Sequence, residues 1–195
     1  MVAVNSFALT TAASHGEIWR LWSGHLVHYD LAHALTNALA IVIPLGFLDR
    51  RCRRAILLSL TIIAPAMSVI LLAGAKFDEY RGASGLAMAV WVASALMLLR
   101  GSDRATGLAL LLLAIAKLGA ELAGVGHVWT AVASLPLAHV IGAWAGVVVY
   151  LIVRTVSRGD AEGAEKNSAS PREPAPCSIE AHPLKPRSIP LSIEA

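Results

Sequence analysis

Five apolar runs, each close to the length of a bilayer crossing, alternate with short polar loops between residues 31 and 153. A hydrocarbon layer about 30 Å thick calls for about 20 helical residues per crossing. Lipid offers the backbone no hydrogen bonds, so such runs are helices unless they close into a barrel. The runs fall at 31–48, 55–75 (with Pro65 inside as an expected kink), 84–99, 105–123 and 137–153. The predicted fold class is therefore all-α, a polytopic membrane helix bundle with five transmembrane helices. Composition agrees: only 15% of residues are charged, where a soluble domain has about a quarter. The formal charge of +3 is small and its basic residues sit between the apolar runs, so they report topology and no nucleic-acid partner.

Arg50, Arg51, Arg53 and Arg54 end the first run, Arg100 and Arg104 flank the third loop, and Arg154 and Arg158 follow the last run. By the positive-inside rule these three regions face the cytoplasm, and the loops at 76–83 and 124–136 face the opposite side. Three regions follow. Residues 1–30 form an N-terminal segment and an interfacial outer loop, with Trp19 and Trp22 at headgroup depth. Residues 31–156 form the membrane domain. Residues 157–195, rich in Pro, Ser, Glu and Lys, are expected to be a disordered cytoplasmic tail. No signal peptide is recognisable at the start. Cys52 and Cys177 both fall in segments assigned to the cytoplasm and read as reduced thiols.

The stretch Tyr80-Arg81-Gly82-Ala83-Ser84-Gly85 runs straight from the second outer loop into the third apolar helix. Glycines on both sides let the backbone turn tightly and let other groups approach the serine. Serine and glycine are also ordinary at helix starts and helix contacts, so this stretch alone carries no chemistry. Two other patterns bear on it. His33 and Asn37, four residues apart, share one helix face near its outer end. They either glue helices by hydrogen bonds or donate to a developing oxyanion. His139, Gly142 and Gly146 form one small-residue stripe headed by an imidazole, and Gly85, Ala89 and Ala93 form another. If the two stripes meet, Ser84 and His139 come together at similar depth, and the imidazole can serve as the base a serine needs. No acidic residue lies near His139 in sequence, so the expectation is a dyad and not a triad.

His25, His28 and His33 do not follow a recognised zinc spacing, and neither a metal nor another cofactor is expected. Lys117 and Glu121, an i, i+4 pair, are expected to neutralise one another inside the bundle, with a small ion transporter as a remote alternative.

Taken together, Trp19-Arg20, His28, His33-Ala-Leu-Thr-Asn37, Gly82-Ala-Ser84-Gly85 and Ala138-His139-Val-Ile-Gly142-Ala-Trp-Ala-Gly146 resemble the core of the rhomboid intramembrane serine proteases. Order, spacing and helix placement agree over roughly residues 17–155. Within that family, the 80–85 stretch and the Lys117/Glu121 helix resemble the rhombosortases, bacterial enzymes thought to process proteins with a Gly-Gly-type C-terminal sorting tail.

The resemblance implies Ser84 as nucleophile and His139 as general base. His33, Asn37 and the Ser84 backbone N–H would stabilise the oxyanion. His28, Trp19, Arg20, Gly82, Gly85, Gly142 and Gly146 would give structural support. Two departures stand out: Met88 occupies a position where many rhomboids carry tyrosine, and the family core has six membrane helices where five are counted. The helix expected before Trp19 is missing from this sequence. The expected function is intramembrane serine endopeptidase, cutting membrane-anchored protein substrates near the extracytoplasmic face. The resemblance places it in a bacterial inner membrane with its site facing the periplasm. The alternative is a rhomboid-like protein that binds membrane clients without cutting them.

Overall fold

A computed structural model describes residues 6–74, 77–101, 103–125 and 135–167, as backbone only beyond 155. Among these residues the regular structure is helical, apart from one isolated β-bridge between Leu9 and Tyr80. A 3-10 turn at Thr11–His15 is followed by six helices: α1 Arg20–Ser23, α2 Leu31–Gly46, α3 Arg50–Gly74, α4 Ser84–Arg100, α5 Arg104–Leu122 and α6 Pro136–Asn167. All five apolar runs are thus helices.

Local signals set the helix starts. The Asp30 carboxylate accepts from the His33 N–H at 2.7 Å, the Asp49 carboxylate from the Cys52 N–H at 2.8 Å, and Asp103 from the Thr106 N–H at 3.1 Å. Each satisfies a backbone donor that the first turn leaves open. Pro136 opens α6, where a missing N–H costs nothing. Pro65 lies inside α3 without ending it.

Arg50–Gly74, Arg104–Leu122 and Pro136–Thr155 are each long and apolar enough to cross a membrane. Leu31–Gly46 reaches that standard together with the segment Arg20–Leu26, from which it is bent by 99°. The remaining predicted crossing, α4, is an apolar helix of 17 residues, shorter than the three that meet the crossing standard alone. It is also the centre of the bundle, packed on α2, α3, α5 and α6. Small residues such as Ala87, Ala89, Ala93 and Ala95 are fully or nearly buried along it. The outer helices carry exposed Leu35, Leu39, Val42, Leu58, Ile62, Leu112 and Ile115, an apolar exterior suited to lipid.

The N-terminal part is tied in more firmly than an interfacial loop requires. Arg20 is buried and donates to the Ala8 carbonyl at 2.8 Å. The Trp22 indole donates to the Thr61 carbonyl, and the Ser68 hydroxyl to the Leu21 carbonyl, so α1 is stitched to α3.

Two expectations need correction. The last helix continues to Asn167 and does not stop near residue 153. The segment Asp160-Ala-Glu-Gly-Ala-Glu-Lys166 is rich in good helix formers and carries no proline, so nothing in it halts a helix already under way. The tail from residue 168 lies outside the described residues. Cys52, buried at the start of α3, is disulfide-bonded and not a free thiol, and Cys177 lies outside the described residues.

Candidate active site

The site is organised by the loop that leads into α4. Tyr80 exchanges both backbone hydrogen bonds with Leu9, at 2.8 and 3.0 Å. The Gly82 N–H donates to the Gly24 carbonyl at 3.0 Å, and Gly82 adopts φ +120°, a conformation that L side chains rarely take. The Ala83 N–H points at His28 Nε2, 3.4 Å away, while His28 Nδ1 donates to the Leu26 carbonyl at 3.0 Å. Ser84 follows as the first residue of α4, half-buried.

His33 and Asn37 meet this loop at Gly82. A Cβ built on Gly82 would stand 2.8 Å from His33 Cε1 and 3.4 Å from Asn37 Nδ2. His28 and His33 are edge to face at 5.1 Å between ring centres, and Tyr29 stacks on His33 at 5.9 Å. Asn37 Nδ2 and His33 Nδ1 are buried without a hydrogen-bond partner. A buried donor left open is costly and calls for an explanation, of which a ligand is one.

The second wall comes from α6. A Cβ on Gly85 would lie 2.9 Å from the Ala138 carbonyl oxygen, and one on Gly146 would lie 2.6 Å from that of Ala89. The two small-residue stripes therefore meet backbone to backbone, as small residues allow in membranes. This contact joins the residue after Ser84 to the residue before His139. His139 is itself buried.

The His139 imidazole has a partner that the sequence reading missed. Its Nδ1 is 2.5 Å from Oε2 of Glu121, and Glu121 Oε1 accepts from Lys117 Nζ at 2.7 Å. A carboxylate only accepts, so Nδ1 carries the proton. Nε2 is left with its lone pair, buried and unpartnered. The expectation that no acid orients this imidazole is overturned. The acid sits 18 residues upstream on α5, where a sequence scan around His139 does not look. The expected Lys117–Glu121 pair is present, and its inward-facing carboxylate was the available signal, since ionisable groups at membrane depth are rarely idle.

Tyr80 was also missed as a side chain. Its hydroxyl is buried beside the Ser84 side chain and the Gly85 backbone, without a well-aligned hydrogen bond. Burial raises its pKa to about 12, against the smaller opposing pull of Ser84 and Gly85.

A family model for the Rhomboid domain matches residues 15–156. The chain belongs to the rhomboid family. No curated protein and no solved structure matches it. The matched span takes in every residue described above from Gly24 to Gly146, and rhomboids are in general intramembrane serine proteases. Membership makes this rhomboid an integral membrane protein of a protease-type family whose members act on membrane protein substrates. Of the residues expected from sequence, His28, His33, Asn37 and Gly82 gather at one loop, and Gly85, Gly142 and Gly146 form the α4–α6 contact. Trp19 stands apart with its side chain exposed. His25 turns away from His28, with Nε2 3.0 Å from both the Ala64 carbonyl and the Ser68 hydroxyl.

Proposed function

We propose that this rhomboid is an intramembrane serine endopeptidase in which Ser84 is the nucleophile and His139 the general base. The observation that supports this best is the α4–α6 contact at Gly85 and Ala138, combined with the unpartnered lone pair on His139 Nε2. In the proposed reaction, Nε2 takes the Ser84 proton as Oγ attacks the scissile carbonyl. The His33 and Asn37 side chains and the Ser84 backbone N–H receive the oxyanion. The C–N bond then breaks, Nε2 returns the proton to the leaving amine, and water hydrolyses the acyl-enzyme by the same path.

The substrate class we propose is a membrane-anchored protein, entered from the extracytoplasmic side of a bacterial inner membrane. Within that class, proteins ending in a Gly-Gly-type sorting tail are the first to try, because the 80–85 stretch and the Lys117/Glu121 helix resemble the rhombosortases. The test is a fluorophosphonate serine probe applied to membranes containing the full chain. An activated Ser84 labels, and Ser84→Ala does not. A wild-type protein that resists the probe contradicts the reading and favours a client-binding rhomboid without protease activity.

A further inference from the structure

We propose that Glu121 is a positioning residue for His139, so that the site works with a serine, an imidazole and a carboxylate, and that Lys117 is the counter-ion holding that carboxylate charged. The proposal rests on the protease reading above and deepens it.

The Glu121 side chain is 2% exposed and lies on a membrane-crossing helix. An ionised carboxylate in that setting is expensive unless it is paired and hydrogen-bonded. Both its oxygens are engaged, one by Lys117 Nζ and one by His139 Nδ1. The plain alternative is that the three groups only fasten α5 to α6, which otherwise touch sparingly.

Two observations tell against fastening alone. Beyond the bond that would fasten the helices, Nε2 is buried with no partner, a cost that fastening does not explain. Fastening would also be served by the Lys117–Glu121 pair facing any polar group on α6, yet the carboxylate binds Nδ1, whose protonation leaves the Nε2 lone pair open. The arrangement fixes a tautomer, and fixing it is what a base requires. When Nε2 takes the Ser84 proton, the ring becomes a cation next to Glu121. The carboxylate stabilises that cation and keeps its own protonation state throughout. Lys117, with a side chain 56% exposed, is at the rim and touches neither Ser84 nor His139 in this scheme.

The test uses the full chain in detergent or lipid vesicles and measures the rate constant for fluorophosphonate labelling, per folded protein. In that reaction Ser84 Oγ bonds to phosphorus, fluoride leaves, and the hydroxyl proton goes to Nε2. Glu121→Gln keeps the shape and one acceptor but allows the wrong tautomer, so labelling is expected to slow by roughly 10²- to 10⁴-fold. Lys117→Met is expected to slow it by less than about 10-fold, as a counter-ion at the rim rather than a contact of the ring. Glu121→Gln labelling within about 3-fold of wild type overturns the proposal while leaving the protease reading intact. Wild-type protein that does not label removes both. Should Glu121→Gln fail to fold, ¹⁵N-histidine spectra of the wild type decide. The His139 Nδ1 proton is expected far downfield and is expected to move when Ser84 carries the probe; a resonance indifferent to labelling overturns the positioning role.

Discussion

Gly142 lies so close to Gly85 that a Cβ built on it would stand 2.1 Å from the Gly85 carbonyl oxygen. No flexible side chain can move aside there, because the obstacle is the backbone of α4. The closeness of α4 and α6 at the site is therefore a property of two glycines.

Gly142→Ala is expected to push the helices apart, costing about 1–3 kcal/mol as overpacking generally does. Activity should fall further than stability alone explains, since Ser84 and His139 ride on the separated helices. Thermal unfolding in detergent, run beside probe labelling of the folded fraction, checks both halves.

Gly82→Ala meets a different obstacle. Its φ of +120° is strained for any other residue, at roughly 1–3 kcal/mol, and the new methyl would strike the His33 ring. The expected outcome is a folded protein with a displaced His33 and weak activity. His33→Ala in the Gly82→Ala background should then add little further loss, which a double-mutant cycle of labelling rates measures.

Asn37→Ala removes one proposed oxyanion donor and leaves the nucleophile and base untouched. The expected loss is about 10²- to 10³-fold in kcat with KM nearly unchanged. A loss confined to KM would assign Asn37 to substrate binding.

Tyr80 gives a pH signature. Its pKa is raised from 10.0 to about 12 by burial, so the neutral phenol is favoured in the folded state. The sign follows: its contribution is complete below pH 10, and stability drains away between about pH 10 and 12 as the unfolded chain deprotonates first. The span corresponds to about 3 kcal/mol. Tyr80→Phe should flatten that alkaline decline. Below pH 10 it should be neutral or slightly stabilising, because the buried hydroxyl has no well-made bond to lose. Denaturation midpoints of both proteins at pH 8 and pH 11 provide the comparison.

The five apolar helices were legible because apolar runs and arginine clusters are properties of the chain itself. The glycine stripes were legible for a related reason: i, i+3 and i+7 spacing fixes one helical face regardless of what it touches. The 80–85 loop, His33 and Asn37 could be singled out, but their meeting at Gly82 depends on how far α2 leans against α4, which no local pattern encodes. Glu121 was read as a partner for Lys117, with ion transport as a remote alternative, and not as a partner for His139. Its second oxygen reaches across to α6, and contacts between separate helices leave no periodic trace. The Leu9–Tyr80 bridge was invisible, being a single pair of backbone bonds without a strand pattern to announce it. The extension of α6 to Asn167 was missed because membrane length was used as the stop signal, when a helix leaving the bilayer needs a breaker to end.

The most direct measurement is cleavage of a single-span reporter protein co-reconstituted with the full chain in vesicles. The wild type is expected to release a defined fragment, and Ser84→Ala and His139→Ala are each expected to lower the rate at least about 10³-fold while still inserting and folding. Cleavage by Ser84→Ala at the wild-type rate would contradict the account.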